Sequence, residues 1–349
     1  MEVLMITDKP ICVTGASGFI ASYVICELLD NGYTVRGTVR GLTEGKNYEY
    51  LTSLPWAAER LELMQAELLT EGSYDEAIAG CEYIIHTASP YVLHVMDPQK
   101  DLVDPALKGT MNVLQACAKA GSVKKVVLTS SAAAVFDEPV SGHVYTEEDW
   151  NETSSLTRNP YYYSKTLAER SAWEYVEKEN PAFELVGINP GAVIGVSLVP
   201  SLNTSNQIIC NALAGNYPMI MDLSWGFVDV RDVAHAHVLA MENEKAKGRY
   251  LCTSETLNLS EVISILREAG YGNYKLPKLK MTGVVGNALA KILVSTQPKG
   301  IRTFVRTHVG RSVHYDNTKI REELGMTFRP VKESIREAAE DLIRWKHVS

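Results

Sequence analysis

The chain has 349 residues, 46% hydrophobic and 22% charged, enough for a sizeable core and for two domains or one large domain with an appended lobe. Its formal net charge of −8 argues against nonspecific nucleic-acid binding and against an anionic membrane surface, but leaves room for a local patch that holds an anionic cofactor. The N-terminus has no basic region followed by a long apolar stretch, and no run reaches the roughly 18 apolar residues that span a bilayer.

Residues 11–14, Ile-Cys-Val-Thr, predict a short buried strand. Gly15 and Gly18 follow, and a helical pattern then runs from Phe19 to Asn31, ended by Gly32. A strand that turns through glycines into a helix is a phosphate site: the backbone approaches the anion, and the first helical amides point at it. The spacing is Gly-x-x-Gly-x-x-Ala, with Ala21 small enough for the helix to pack closely on a sheet. A second strand, Thr34 to Val39, ends in Arg40, where NAD-binding folds place an acid for the ribose 2′-hydroxyl. A guanidinium there suits a 2′-phosphate, so NADP(H) is the expected cofactor, with Lys46 assisting from the next loop.

Strands are expected at 61–65, leading to Glu67-Leu68, and at 83–86, followed by Thr87-Ala88-Ser89. A short helix at 74–79 separates them, and a long helix from Asp101 to Ala120 follows, stopped by Gly121. The strand 125–129 runs straight into Ser130-Ser131. This alternation implies an α/β fold with a doubly wound, Rossmann-type parallel sheet, whose ligand crevice lies beyond the carboxyl ends of the strands. After an irregular polar stretch, 137–160, a helix covers 161–178 and a strand 185–189, followed by Pro190-Gly191. The segment 196–223 reads as part of a substrate lobe, and 226–230 precedes a helix at 233–242. A strand at 248–252 and helices at 259–269 and 332–344 complete the pattern. The expected division is a cofactor domain over 1–190, carrying the catalytic residues, and a smaller C-terminal substrate lobe over 191–349, with about 225–255 returning to the sheet. Six cysteines without a C-x-x-C pair read as reduced buried thiols, and eight histidines show no metal spacing. A cytoplasmic monomer or homodimer without a metal is expected.

Tyr161 and Lys165 lie four apart on one helix face. Three other tyrosines also have a lysine at that spacing, at 271/275, 274/278 and 315/319, so context decides. Gly272, Asn273 and Pro277 make a poor helix around the first two, and Tyr315 follows no strand that ends in a partner. Tyr161 alone heads a convincing helix after a strand ending in a serine pair, and Tyr162 and Tyr163 have no lysine at +4. Hydride addition to a carbonyl leaves an alkoxide that must receive a proton. A phenol with pKa near 10 matches that task at neutral pH only if a nearby cation favours its phenolate. Lys165 supplies that cation and a hold on the nicotinamide ribose, while Ser131 or Ser130 hydrogen-bonds the carbonyl oxygen.

Thr14-Gly-Ala-Ser-Gly-Phe-Ile20, Thr129-Ser-Ser131 and Tyr161-x-x-x-Lys165 resemble the extended short-chain dehydrogenase/reductases. The stretches 32–40, His86-Thr-Ala-Ser-Pro90, 108–113, 164–169 and 227–237 resemble one branch, the dihydroflavonol 4-reductases, cinnamoyl-CoA reductases and microbial aldehyde and ketone reductases. The resemblance implies Ser131, Tyr161 and Lys165 as the catalytic trio. It implies cofactor contacts from Gly15, Ser17, Gly18, Phe19 and Ile20, from Arg40, and from Thr87, Ala88 and Ser89. Pro190 and Val193 match the loop that faces the nicotinamide, and Glu67 and Leu68 match the adenine contact, with Glu67 in place of the usual Asp. Phe136 stands where plant dihydroflavonol reductases carry an Asn that contacts the flavonoid, which favours an apolar or aromatic aldehyde or ketone. Tyr91, Tyr145, Leu198 and Phe227 would extend that apolar wall. The expected activity is NADPH-dependent carbonyl reduction. The alternatives are a dihydroflavonol or cinnamoyl-CoA reductase proper, an NAD-dependent nucleotide-sugar epimerase or dehydratase, and a non-catalytic dinucleotide sensor.

Overall fold

A computed structural model describes residues 6–42, 48–89, 95–297 and 299–348. Seven strands form one sheet: β1 (Ile11–Thr14), β2 (Val35–Val39), β3 (Leu61–Gln65), β4 (Tyr83–His86), β5 (Lys125–Thr129), β6 (Glu184–Pro190) and β7 (Gly248–Cys252). All are parallel, in the order β7-β6-β5-β4-β1-β2-β3. The order reverses between β1 and β4, so their carboxyl ends lie side by side, Thr14 opposite His86, at the switch point where such sheets bind ligands.

Alternate strand residues feed two cores, because successive side chains point to opposite faces. Ile11 and Val13 pack with Val24, Ile25 and Val233, from helices α1 (Phe19–Asp30) and α4 (Val230–Glu242). Cys12 and Ile84 pack on the other face with Val113, Leu114 and Ala172, from α2 (Asp104–Ala120) and α3 (Pro160–Glu179). Both strand faces are therefore buried, as a parallel sheet between two helix layers requires. A second core lies around Ile209, Phe227, Val262 and Ile335. It holds the three-stranded sheet made by Glu255–Asn258, Ser224–Asp229 and Ala192–Ile194, with helices Asn206–Ala214, Leu259–Glu268 and Val331–Arg344.

Two boundaries differ from the sequence reading for identifiable reasons. The long helix is expected from Asp101, but a π-helical turn occupies Gln99–Val103 and the α-helix starts at Asp104. Pro105 has no N–H and fits only the first turn of an α-helix. α4 starts at Val230, earlier than expected, because the buried Asp229 side chain accepts from the Arg231 amide and caps it. The stretch 137–159 is irregular apart from Val144–Tyr145, which pairs with His314–Tyr315, and an isolated bridge between Ser155 and Arg158. Five of the six cysteines are buried, and none is paired. Among the described residues no helix is long and apolar enough to cross a membrane, and no three His, Cys, Asp or Glu side chains converge on a metal position.

Candidate active site

The turn after β1 is shaped by Gly15, whose φ is +68°. A Cβ there would lie 3.0 Å from the Ala88 backbone, so the absent side chain lets the turns after β1 and β4 touch. Thr14 ties the same two turns. Its hydroxyl accepts from the Ala88 amide at 3.0 Å and lies 2.7 Å from His86 Nδ1, and its carbonyl accepts from the Thr87 hydroxyl at 2.5 Å. Burial, and then the charge of Lys165, push His86 down to about 3, which leaves it neutral. Gly18 caps α1 with extended backbone, and no side chain satisfies the first amides, those of Phe19 and Ile20 among them. A turn that a Cβ would fill, beside an uncapped helix N-terminus, fits a dinucleotide pyrophosphate. Ser17 is exposed on that turn, and Arg40 is exposed just after β2 with no ion pair among the described residues. After β3, Glu67 is exposed, while Leu68 packs against Gly109 of α2 and its carbonyl accepts from Asn112 at 2.9 Å. Lys46 and Tyr91 lie outside the described residues.

The start of α3 is locked before Tyr161 is reached. Arg158 donates to Asp137 at 2.7 Å, the Asn159 amide also donates to Asp137, and Pro160 opens the helix. Tyr161, Lys165 and Glu169 then follow at one-turn intervals on one face. Lys165 Nζ donates to Ser89 Oγ at 3.0 Å, so the helix meets the turn after β4. Burial pushes Lys165 down to about 8, opposed by the charge of Glu169 one turn on. The two serines after β5 separate clearly. Ser130 is buried and donates to Glu169 at 2.5 Å. Ser131 accepts from the Ala133 amide at 3.1 Å and opens into the same cleft as Tyr161.

Glu169 is a hub that the sequence reading missed. It is 1% exposed and also accepts from Asn189 Nδ2 at 2.7 Å and from Arg249 Nε at 2.7 Å. Asn189 in turn donates to the Ser131 carbonyl at 3.1 Å. A carboxylate from α3 thus ties together Ser130 after β5, Asn189 near the end of β6 and Arg249 near the start of β7. Its position four residues after Lys165 was the available signal.

The cleft in front of Ser131 and Tyr161 has a volume of about 240 Å³ and no Asp, Glu, Lys or Arg among its lining residues. Phe136 and Pro190 line it, together with Trp225, Phe304, His308 and Tyr315, none of which the motifs mark. Burial pushes His308 down to about 4, so it is a neutral part of the wall. Three expected wall residues lie elsewhere. Phe227 is fully buried in the second core. Tyr145 stacks behind Phe136 with ring centroids 4.6 Å apart and its hydroxyl on the Val140 amide, and Leu198 is half-buried away from the cleft. Val193 is buried in the strand after β6, paired with Val228.

Residues 11–258 match the model of the NAD dependent epimerase/dehydratase family. A cinnamoyl-CoA reductase of Medicago truncatula is 46% identical over 275 residues, 77% of this chain and 82% of its own. A bifunctional dihydroflavonol 4-reductase/flavanone 4-reductase of Malus domestica is 35% identical over 345 residues, 97% of this chain and 91% of its own. The crystal structure of the yeast methylglyoxal/isovaleraldehyde reductase Gre2 complexed with NADPH superposes with a TM-score of 0.79 at 28% identity, covering 97% of this chain and 99% of that one. The sheet order, the glycine turn and these similarities agree: the chain belongs to the NAD dependent epimerase/dehydratase family, as an NAD(P)-dependent reductase of its extended short-chain dehydrogenase/reductase type.

Proposed function

We propose that the protein reduces an aldehyde or ketone with an apolar or aromatic body, using NADPH and taking the proton from Tyr161. The observation that carries this reading is the cleft: Ser131 and Tyr161 open into a space of about 240 Å³ whose lining bears no charge. NADPH, when bound, supplies the hydride. Ser131 and the Tyr161 phenol hold the carbonyl oxygen, and Tyr161 donates its proton as that oxygen becomes an alkoxide. Lys165, fixed to Ser89 at 3.0 Å, stabilises the phenolate left behind and holds the nicotinamide ribose. Arg40 receives the 2′-phosphate, and residues 191–349 supply most of the substrate lobe.

A nucleotide-sugar epimerase needs a cation for the substrate's diphosphate, and this cleft lining offers none. The deciding experiment is NADPH oxidation against aryl and alkyl aldehydes and ketones, dihydroquercetin, and cinnamoyl-CoA. Turnover should rise with apolar bulk on a simple carbonyl. A clear preference for dihydroquercetin or for the thioester would replace the proposed substrate class while leaving the chemistry intact.

A further inference from the structure

Helix Gly283–Leu293 is built inside out. Its sequence, Gly-Val-Val-Gly-Asn-Ala-Leu-Ala-Lys-Ile-Leu, buries only Gly286 and Ala290. Val284 is 89% exposed, Val285 73% and Ile292 66%, with Leu289 and Leu293 beside them. Leu279 before the helix and Ile301 after it are exposed as well. A Cβ on Gly286 would lie 2.6 Å from the Met281 backbone, so small residues seat this helix and large ones face out. A water-facing helix has the opposite arrangement, and contiguous exposed apolar patches mark interaction sites.

The charge around this helix is equally one-sided. Residues 275–315 hold eight of the chain's 34 Lys and Arg and none of its 42 Asp and Glu. Lys278 and Lys280 lead into the helix, and Lys291 lies on it. Arg302 and Arg306 reach back from the next helix, Lys299–His308, to the Ser295 carbonyl at 3.4 Å and the Ser295 hydroxyl at 3.2 Å. Among the described residues these five cations form no ion pair, whereas Arg311 pairs with Glu138. A carboxylate also touches the helix: Asp222 accepts from the Gly283 amide at 2.7 Å.

We propose that this face docks on an anionic lipid surface. The valine, leucine and isoleucine side chains enter the boundary between headgroups and acyl chains, and the five cations meet the headgroup charges. A second copy is the poorer occupant, because a two-fold contact through this patch would set the basic rim against itself. A specific acidic protein is poorer too, since the exposed face carries no Trp or Tyr, the usual anchors of such interfaces. The helix is also continuous with the cleft wall: Ala290 and Val294 pack in one apolar cluster with Phe304 and Trp225, which line the cleft. Docking would bring the cleft wall to the reservoir where apolar carbonyl compounds dissolve. That last clause rests on the proposed substrate class, but the docking itself does not.

The test is flotation of the full chain with vesicles of phosphatidylcholine alone or mixed with phosphatidylserine. Binding should appear only with phosphatidylserine and fall as salt is raised. The double variant Val285→Ser/Ile292→Ser, and separately Lys291→Glu, should bind about tenfold more weakly at an unchanged thermal midpoint. Absence of wild-type binding to phosphatidylserine vesicles at low salt, or equal binding by the variants, overturns the proposal. So does a wild-type dimer that Ile292→Ser converts to monomer, which would assign the face to a second copy. None of these readouts requires the carbonyl substrate, so failure here and failure of the substrate assignment are told apart.

Discussion

Burial raises the phenols of Tyr162 and Tyr315 above the usual tyrosine range and makes each a reluctant proton donor, although both face the cleft. Tyr161 is 48% exposed and one helical turn before Lys165. Tyr161→Phe should therefore keep the fold and NADPH binding while single-turnover carbonyl reduction falls roughly 10²- to 10⁴-fold, with Tyr162→Phe losing far less. Lys165 gives this chemistry a pH limit. Its ammonium, lowered to about 8, is present below that pH and lost above it, so NADPH affinity measured by fluorescence should weaken as pH rises through about 8. Lys165→Met should remove that step. At the far end of the cofactor, Arg40→Asp should remove about 1.5–3 kcal/mol of charge-assisted bonding, a shift of about 10- to 100-fold toward NADH in the ratio of kcat/KM values. A wild type that uses NADH and NADPH equally would contradict that assignment. The serine pair marks the reach of sequence reasoning at this scale. Residue types left Ser130 and Ser131 open, and the resemblance chose Ser131. The geometry shows why they differ: Ser130 is committed to Glu169, and Ser131 opens into the cleft.

At the scale of elements, the buried pair of Glu169 on α3 and Arg249 on β7 fastens the helix of Tyr161 and Lys165 to the far edge of the sheet. Both side chains are almost fully enclosed, so Glu169→Ala leaves Arg249 as an unpaired buried cation. It should cost about 3–5 kcal/mol in urea unfolding. A loss within the range of surface ion pairs would show that the pair is not structural. The sheet itself was legible because short, mostly apolar strand runs alternate with periodic helices, several of which stop at a glycine such as Gly32 or Gly121; β1, β3, β4 and β5 run from the expected first residue to the expected last. The walls of the cleft were not. Trp225, Phe304, His308 and Tyr315 come from separate elements, and long-range packing rather than local pattern brings them together. Phe227 illustrates the converse: its motif is recognisable, but strand direction turns the ring into the second core.

At the scale of the whole molecule, a net charge of −8 conceals a basic segment, so an argument from the total speaks only to the average surface. The proposed cofactor site draws its parts from the ends of five strands, β1, β2, β3, β4 and β6, and a ligand bound there should stabilise the whole sheet. At free NADPH about 100 times its dissociation constant, unfolding should become harder by about 2.7 kcal/mol, read as a higher thermal midpoint. Arg40→Asp should show a smaller rise at the same NADPH concentration. The contact of Gly15 with Ala88 carries a consequence for descent. Any side chain at position 15 displaces the turn after β4, and that turn ends in Ser89, the partner of Lys165. A change in the first turn of the chain is therefore felt 150 residues later, at Lys165, the group proposed to tune the proton donor. Positions 15, 88, 89 and 165 are expected to vary together across lineages, because a side chain at position 15 presses on position 88 and the turn it moves carries the partner of Lys165.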